Sequence, residues 1–315
     1  MAVINIKNLT DLEPRFVGGH RLCAGCNEGT IVRQVLLAAH EYEVVVLNAT
    51  GCLEVTTSVY PYTSWNVPWL HEAFENVAAA ASGAEAAYKA LKRFGEIPED
   101  KQIKFIAFAG DGGTYDIGLQ ALSGALERGH SFLYVLLDNE AYMNTGIQRS
   151  SSTPKFAWTT TSPVGEVSPG KTQPKKNIVE IVAAHGVPYV ATASPSHYVD
   201  LMTKVQKALS YDGPTFLAVY SNCNRGHRND TALSIKVARM AVETNYWPLY
   251  EIEEGKYRIT YRPRKPQPIE EWLKLQGRFS HLMKPGNQDR VQELQDWVNS
   301  KWELLQKKEE FSKTL

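Results

Sequence analysis

Short runs of β-branched and aromatic residues alternate along this chain with longer segments in which apolar residues recur every three or four positions. The short runs predict strands and the longer segments predict amphipathic helices. Strands are predicted at 44–49, 104–110, 132–139, 187–193 and 215–222, and helices at 27–40, 72–93, 116–128, 178–185 and 197–209. This alternation favours a doubly wound α/β fold around a mainly parallel sheet.

Two stretches interrupt the alternation. Residues 150–177 are rich in Ser, Thr, Pro and Lys without periodicity, which predicts a long loop of functional or interfacial use. Further on, the segment PLYEIEEGKYRITY predicts a hairpin, and residues 287–311 predict a final amphipathic helix. We therefore expect a main domain over residues 1–241 and a C-terminal hairpin and helical extension over residues 242–315.

The composition argues against several classes of protein. The 315 residues include 34 basic and 34 acidic side chains, and the net charge of zero gives no overall attraction to nucleic acid or to anionic lipid. No apolar run approaches the roughly 18 residues of a membrane span, and residues 1–17 lack the pattern of a secretory signal. We therefore expect a cytoplasmic protein without nucleic-acid or membrane partners. In that reducing compartment, its four cysteines favour a metal or redox site over two structural disulfides.

The segment from 104 to 146 is the most informative part of the chain, because it reads as strand, glycine-rich turn, helix, strand and turn. A right-handed crossover brings the carboxyl ends of its two strands together, where Asp111 ends the first and Asn139 the second. A carboxylate and an amide oxygen suit a Mg²⁺ ion that also binds phosphate and water. The glycines of the GDGG turn let the backbone approach a phosphate, and the next helix points its positive end there. The segment therefore predicts a metal–diphosphate site.

An ordinary turn is the alternative for GDG taken alone. The sequence does not contain the competing phosphate and metal motifs. No G-x-G-x-x-G follows a strand, G-x-x-x-x-G-K-[ST] is missing, and residues 111–116 lack the ligand pattern of an EF-hand loop. Nucleotide-binding folds are therefore less favoured.

The cysteines form a second pattern. Cys23 and Cys26 are a C-x₂-C pair at the start of a predicted helix, whereas Cys52 and Cys223 each follow a predicted strand. Folding should therefore gather the four thiols at one edge of the sheet. Four thiolates can hold either a structural Zn²⁺ or a [4Fe–4S] cluster, and the spacing alone does not decide between them. A thiol–disulfide redox pair is a third interpretation of the C-x₂-C motif.

These motifs resemble those of a known enzyme family. GDG followed by Asn139, 28 residues after Asp111, is similar to the motif of thiamine-diphosphate enzymes and implies their diphosphate-domain fold. The runs GDGGTYDIGLQALSGALERGH and DNEAYMNTGIQRSS, with ATGCLEVTT and LCAGC, resemble more narrowly the β subunits of pyruvate synthases, which are 2-oxoacid:ferredoxin oxidoreductases. The similarity covers residues 22–241.

The resemblance implies a set of coenzyme ligands. Mg²⁺ would be held by the side chains of Asp111 and Asn139 and by the carbonyl of Ala141. Asn144 would lie beside the thiazolium ring and act in catalysis, and Val55 would form a wall of the substrate pocket. The remaining implied coenzyme contacts are Thr50, Gly51, Gly110, Gly112 and Gly113.

The resemblance also implies that Cys23, Cys26, Cys52 and Cys223 hold a proximal [4Fe–4S] cluster. Cleaving a 2-oxoacid on thiamine leaves an electron-rich adduct, which needs an electron acceptor nearby. Zinc cannot accept electrons, whereas an iron–sulfur cluster can. Two alternatives stay open: a non-redox thiamine-dependent decarboxylase or synthase subunit with structural zinc, and a binding or scaffold subunit that takes up no coenzyme.

Only one coenzyme-binding half is found in this chain, so the resemblance implies partner chains. An α subunit would bring the pyrimidine domain and an activating glutamate, and γ and δ subunits would carry further clusters toward ferredoxin. The expected substrate is pyruvate, with CoA taking the acyl product. Residues 27–29 and 224–227 are more polar and basic than the pyruvate pattern. This departure suits a more anionic acid such as oxalate, which would give CO₂ without CoA, and another 2-oxoacid is a further alternative.

Other polar residues are weaker candidates. Glu54, His71 and Glu75 invite general acid–base roles, but structural or solvated side chains of these types are commoner. The charged residues that flank the cysteines could tune a cluster or meet an anionic partner, although plain surface charge is the more frequent role. These residues are His20, Arg225, His227 and Arg228.

Overall fold

The computed structural model of the chain describes residues 6–314, in which eight strands form one sheet. The strands are β1 (Glu43–Ala49), β2 (Trp69–Glu72), β3 (Ile103–Gly110), β4 (Leu133–Asp138), β5 (Tyr189–Ala193), β6 (Thr215–Tyr220), β7 (Tyr250–Glu253) and β8 (Lys256–Ile259). Their spatial order is β2-β1-β3-β4-β6-β5-β7-β8, and every pair from β2 to β5 is parallel. The predicted doubly wound, mainly parallel α/β fold is confirmed.

Helices cover both faces of the sheet. They are α1 (Ile6–Leu9), α2 (Asn27–Ala38), α3 (Cys52–Thr57), α4 (Val77–Arg93), α5 (Leu119–Glu127), α6 (Ile178–Ala183), α7 (Tyr198–Ser210), α8 (Asn224–His227), α9 (Ser234–Glu243), α10 (Glu270–Leu273) and α11 (Gln288–Ser312). One core lies under α2 and α7, and the other lies under α4, α5, α6, α9 and α11. Strands β4 and β6 are buried along their whole length, which is why their sequences are almost continuously apolar. No helix within residues 6–314 is both long enough and apolar enough to cross a bilayer.

Two local elements differ from the sequence-based expectation. The segment Trp69–Glu72 forms the edge strand β2 beside β1, so the helix predicted from residue 72 begins at Val77 instead. The helix predicted from residue 116 is preceded by a wide π-helical turn over Gly112–Ile117. A hydrogen bond from the Gly118 N–H to the Gly113 carbonyl (2.7 Å) closes this turn. Apolar periodicity cannot reveal either feature, because both depend on how neighbouring segments pair.

The C-terminal residues pack against the main sheet. Strand β7 pairs antiparallel with β5, and β8 pairs with β7, so the predicted hairpin extends the sheet. In α11, Leu294, Val298 and Leu305 are buried in the same core as α4 and α5. Trp297 and Trp302 pack half-buried against that core, as expected for side chains that support the fold.

Candidate active site

A cavity of about 280 Å³ opens at the carboxyl ends of β1, β3 and β4. These strands are neighbours in the sheet, and Gly110 of β3 pairs with Leu137 of β4, so the turns that follow them converge. The cavity is lined by Glu28, residues 48–53, Phe74, residues 109–112, Leu137, Asn139 and residues 141–145. This is the position at which open α/β sheets bind their ligands.

Most residues implied as coenzyme contacts line this cavity. Those present are Thr50, Gly51, Gly110, Asp111, Gly112, Asn139, Ala141 and Asn144. Gly113 lies behind the wall, where an added Cβ would come within 2.8 Å of the Phe74 carbonyl oxygen. Val55, implied as a wall of the substrate pocket, lies on α3 outside the lining and is 47% exposed.

Asp111 presents a buried carboxylate at the end of β3. The residue is 1% exposed, and the Ser150 hydroxyl donates a hydrogen bond to its Oδ2 atom. Burial raises the pKa of Asp111 well above its usual value, the nearby Asp138 charge raises it further, and the Ser150 hydrogen bond opposes the rise. Lys175 pairs directly with Asp138 (3.0 Å) and reaches Asp111 only at longer range. A cation bound at Asp111 would therefore stabilise its charged form.

Asn139 presents an unpaired oxygen to the same space. Its Nδ2 atom donates a hydrogen bond to Oε1 of Glu28 (3.1 Å), which leaves Oδ1 buried and without a hydrogen-bond partner within residues 6–314. Two other residues of the lining, Glu28 through Oε2 and Asn48 through Oδ1, likewise carry buried oxygens without a partner in the described part of the chain. Buried acceptors are rarely left unpaired, so these oxygens indicate a missing cation or hydrogen-bond donor. A hard cation such as Mg²⁺ fits Asp111 and Asn139.

The glycines of the GDGG turn differ in what surrounds them. A Cβ added to Gly112 would fall 2.3 Å from the Tyr142 ring, so the fold itself requires glycine there. A Cβ added to Gly110 would meet no atom within 4 Å. Gly110 therefore faces open space at the cavity, where a ligand can approach its backbone.

Glu140 anchors the loop that carries Asn139 and Ala141. It is fully buried, has a positive φ of 68°, and pairs with Lys175 (3.0 Å) and Arg278 (2.5 Å). Burial alone would raise the pKa of Glu140, but the two cations outweigh it and hold the pKa well below its usual value. The residues on either side of Glu140 are thereby fixed in place.

The four cysteines lie close enough to act on one another's ionisation. Burial raises the pKa of Cys26 well above its usual value, and the charges of Glu28, Cys223 and Cys52 raise it further. Burial also raises the pKa of Cys52 and of Cys223, and the charge of Cys23 contributes to both shifts. The predicted gathering of the thiols therefore has support from these mutual effects.

The described side chains do not form a preformed single-ion site. Within residues 6–314, no three His, Cys, Asp or Glu side chains converge on a point where one ion could be held. A structural zinc site requires four ligands at about 2.0–2.3 Å from one centre. Four thiolates can hold either a zinc ion or a [4Fe–4S] cluster, so the choice between them rests on the reaction and not on these positions.

The cysteine group and the cavity share a wall. Cys52 lines the cavity, and Nδ2 of Asn144 donates a long hydrogen bond to its Sγ atom (3.8 Å). On the other side, the Asn222 N–H donates to Oδ1 of Asn27 (3.0 Å), which ties the segment before Cys223 to the segment after Cys26.

The two arginine candidates lie away from the cavity. Arg225 and Arg228 line a separate surface cleft with Cys23, and the Arg228 guanidinium stacks 3.4 Å from the Trp158 ring centre. The cavity lining contains no Lys, Arg or His among the described residues.

Two of the three acid–base candidates, His71 and Glu54, are linked to each other. His71 lies behind the lining, with Nε2 2.9 Å from the Thr50 hydroxyl and Nδ1 3.6 Å from Glu54. His20 stacks on Phe16 at 5.3 Å, away from the cavity. Neither histidine lines the cavity, and Glu54 and Glu75 are also outside the lining.

Sequence reasoning missed Glu28 and Asn48 as site residues and considered His227 only as a charged neighbour of the cysteines. Glu28 and Asn48 line the cavity with unpaired oxygens, and His227 contacts the Asn139 carbonyl (2.9 Å). The signal for Asn48 was a polar residue at the end of the apolar run VVVLNA. For Glu28 and His227 the sequence offers only their closeness to Cys26 and Cys223.

Comparisons with known proteins identify the family of the chain. A family model described as the C-terminal TPP-binding domain of thiamine pyrophosphate enzymes matches residues 49–219. The chain is 57% identical to pyruvate synthase subunit PorB of Thermotoga maritima, over 98% of each chain. It is 54% identical to the PorB subunit of Methanocaldococcus jannaschii, over 93% of this chain and 97% of the relative.

Two further comparisons concern substrate class and fold. The chain is 46% identical to ketoisovalerate oxidoreductase subunit VorB of Pyrococcus abyssi, over 94% of this chain and 93% of the relative. A solved 2-oxoglutarate:ferredoxin oxidoreductase from Magnetococcus marinus matches with a TM-score of 0.55 and 19% identity, covering 73% of this chain and 80% of that chain. At that identity the structural match shows a shared fold.

Proposed function

This chain belongs to the 2-oxoacid:ferredoxin oxidoreductase family, as an oxidoreductase subunit of the pyruvate synthase PorB type with a thiamine-diphosphate-binding domain, and from this we propose a specific site and reaction. The cavity binds Mg²⁺ and thiamine diphosphate, and Cys23, Cys26, Cys52 and Cys223 hold a proximal [4Fe–4S] cluster. The complex that contains the chain oxidatively decarboxylates pyruvate, with CoA as acyl acceptor and ferredoxin as electron acceptor.

The shared wall at Cys52 is the observation that carries this proposal. Cys52 lines the same cavity as Asp111 and Asn139 and accepts a hydrogen bond from Asn144. An electron that leaves the cavity therefore meets a cluster ligand at its boundary. A structural zinc site would not require this placement.

The residues of the cavity fit a metal-bound diphosphate. Asp111 and the Oδ1 atom of Asn139 supply oxygen ligands, and the carbonyl of Ala141 lies on the same loop as Asn139. Gly110 leaves open space for a phosphate group. Bound thiamine diphosphate supplies the carbanion and the electron sink that decarboxylation of a 2-oxoacid needs. This chain's own residues would hold the metal, place Asn144 beside the reacting end and exclude water.

Three findings bear on the choice of substrate. The 57% identity to a PorB subunit favours pyruvate, and the 46% identity to a ketoisovalerate oxidoreductase subunit supports another 2-oxoacid as the alternative. Oxalate was suggested by basic residues after Cys223, but Arg225 and Arg228 line a different cleft and no cation lines the cavity within residues 6–314. The partner for the substrate carboxylate therefore comes from another subunit.

Other subunits are implied by the family, and we propose specific roles for them. An α subunit supplies the pyrimidine domain and the activating glutamate, as the resemblance to the family implies. The γ and δ subunits carry further clusters that pass electrons to ferredoxin, because all four cysteines of this chain are used by one cluster. We place the complex in the cytoplasm.

The coenzyme site is tested with the complex purified anaerobically through a tag on this chain. Asp111→Asn removes the charged metal ligand at nearly constant volume, and Asp296→Asn on α11 is the matched control. We expect Asp111→Asn to lose Mg²⁺-dependent binding of thiamine diphosphate, measured by tryptophan fluorescence, and the control to bind like the wild type. Unchanged affinity in Asp111→Asn contradicts the site.

The cluster is tested by metal content and spectroscopy. After anaerobic reconstitution, we expect the Cys52→Ser complex to contain less iron per copy of this chain than the wild type or to show an altered cluster spectrum. Zinc in place of iron at these cysteines would support the non-redox alternative. Reduction of a low-potential dye with pyruvate, oxalate, 2-oxoglutarate and ketoisovalerate, each with and without CoA, then identifies the substrate.

A further inference from the structure

Asn139 is held from both sides by residues that follow two of the cysteines in the chain. Its Nδ2 atom donates to Oε1 of Glu28 (3.1 Å), and Glu28 comes two residues after Cys26. Its main-chain carbonyl lies 2.9 Å from Nε2 of His227, which comes four residues after Cys223. Asn139, Glu28 and His227 are all buried. Asn139 of the proposed metal site therefore contacts the segment that follows Cys26 and the segment that follows Cys223.

We propose that Glu28 and His227 are positioning residues, which aim the Oδ1 atom of Asn139 into the cavity and thereby couple metal–coenzyme binding to the loading of the cysteines. This inference rests on the proposed function, in which Asn139 is a Mg²⁺ ligand. It adds two residues that act through their contacts with Asn139, and a coupling between the coenzyme site and the cysteines.

The Glu28 contact fixes which end of the Asn139 amide faces the cavity. An amide has a donor end and an acceptor end, and the two have nearly the same shape. Because the Glu28 oxygen accepts the hydrogen bond from Nδ2, the amide oxygen must point the other way. Without that acceptor, the amide could rotate and present its NH₂ group to the metal, which cannot bind it.

The His227 contact fixes the main chain of the same residue. Nε2 of His227 lies 2.9 Å from the Asn139 carbonyl oxygen, and Nδ1 lies 3.0 Å from Oδ1 of Asn222. Both oxygens are acceptors, so a neutral imidazole donates to one of them at a time, and the Nε2–H tautomer is the one that holds Asn139. The Asn222 N–H donates in turn to Oδ1 of Asn27 (3.0 Å), which follows Cys26. The contacts form a continuous chain from one cysteine segment to the other, with Asn139 between them.

The segment of a third cysteine, Cys52, also contacts the loop that carries Asn139. Cys52 accepts a hydrogen bond from Asn144, which lies on the loop that begins at Asn139. Any order that a bound cluster gives to the three cysteine segments is therefore passed to this loop. Because energetic coupling between two sites is reciprocal, bound Mg²⁺ and coenzyme should stabilise the loaded cysteines to the same extent.

The positioning role of Glu28 is tested in the whole complex with three variants on helix α2. Glu28→Ala removes the acceptor, Glu28→Gln keeps an acceptor oxygen, and Gln34→Ala removes a comparable polar side chain whose hydrogen bond goes to the Pro195 carbonyl. We expect Glu28→Ala to weaken Mg²⁺ affinity in the presence of thiamine diphosphate by about 10–100-fold, the usual effect of losing an outer-shell partner. Glu28→Gln should stay within about threefold of the wild type, and Gln34→Ala should match it.

The coupling is tested by comparing cluster-loaded and iron-depleted complexes. We expect the loaded wild-type complex to bind Mg²⁺ and thiamine diphosphate at least about fivefold more tightly, the lower end of typical coupling. In the Glu28→Ala complex this difference should shrink. The electron paramagnetic resonance spectrum of the reduced cluster gives a second readout, which should respond to added Mg²⁺ and coenzyme in the wild type and less in Glu28→Ala.

The outcomes separate this inference from the proposed function. If Asp111→Asn abolishes coenzyme binding while Glu28→Ala binds like the wild type, the positioning role is wrong and the site stands. A Glu28→Gln variant as weak as Glu28→Ala also overturns it, because the acceptor oxygen would then not be what matters. Equal coenzyme affinity with and without iron overturns the coupling. Retained binding in Asp111→Asn overturns the proposed function itself.

Discussion

Replacing Arg278 by Met should destabilise the chain strongly, because it removes one of the two cations that neutralise Glu140. Arg278 is 2% exposed and Glu140 is fully buried, and their charged atoms are 2.5 Å apart. Removing one partner of a buried ion pair typically costs about 3–5 kcal/mol, since the other charge is left uncompensated. Lys175 (3.0 Å) remains beside Glu140, so we expect the lower end, about 3 kcal/mol.

The chain supplies a closely matched control. Arg262 pairs with Glu309 at the same distance, 2.5 Å, and both arginines lie 5.6 Å from the centre of a tryptophan ring. Arg262, however, has 47% of its side chain exposed, and exposed pairs contribute only about 0–1 kcal/mol. Arg262→Met should therefore cost much less than Arg278→Met, although the two pairs have similar geometry.

The pH dependence of the effect follows from the direction of the Glu140 pKa shift. The pKa is lower in the folded chain than the usual value of 4.5, so the stabilising contribution is present above pH 4.5 and is lost as the pH falls toward the folded pKa. The gap between the wild type and Arg278→Met should be widest near neutral pH and should narrow below pH 4.5.

The measurement is the midpoint of urea-induced unfolding, followed by tryptophan fluorescence, for the wild type and both variants between pH 7 and pH 3.5. Hydrogen exchange of residues 138–145 should also speed up in Arg278→Met, because Glu140 lies between the proposed metal ligands Asn139 and Ala141. Equal destabilisation by the two substitutions, or a gap that does not change with pH, would refute the reasoning.

Three further predictions concern the cavity. Ser150→Ala removes the hydrogen bond that favours the charged form of Asp111, so a magnesium titration should show Mg²⁺ affinity falling by about tenfold. The control Ser168→Ala, on the exposed part of the same loop, should leave the Mg²⁺ affinity unchanged. Gly112→Ala should lower the thermal unfolding midpoint by an amount equivalent to about 1–3 kcal/mol, because the added Cβ would overlap Tyr142. Gly110→Ala should leave the midpoint nearly unchanged and should instead weaken coenzyme binding. Asn48→Ala should weaken coenzyme binding more than it lowers stability, and an unchanged dissociation constant would show that its unpaired oxygen serves no ligand.

Local patterns in the sequence were sufficient to predict much of the candidate site. The order of apolar runs predicted the parallel sheet, and the turns after these runs carried Asp111, Asn139, Cys52 and Cys223. Because parallel strands end at the same edge, their convergence followed without coordinates. The edge strand Trp69–Glu72 was missed, since a four-residue strand has too few positions to show a period.

The sequence did not predict the direction in which individual side chains point. Arg225 and Arg228 were considered near the substrate because they follow Cys223, yet they line a cleft with Cys23 instead. A short helix, Asn224–His227, turns the chain after β6 and determines which side chains point inward. The suggestion of an anionic substrate such as oxalate loses its support for that reason.

The sequence by itself determined the fold class, the glycine-rich turn and the supply of four thiols, because periodicity and turn chemistry act within a few residues of chain. Only the tertiary structure brought Glu28 to Asn139 across 111 residues and Asn222 to Asn27 across 195. Such contacts depend on strand order and on the register of β1, β3, β4 and β6, which are fixed by packing on both faces of the sheet. A buried hydrogen bond of this kind has no local signature, since each partner alone looks like an ordinary polar residue.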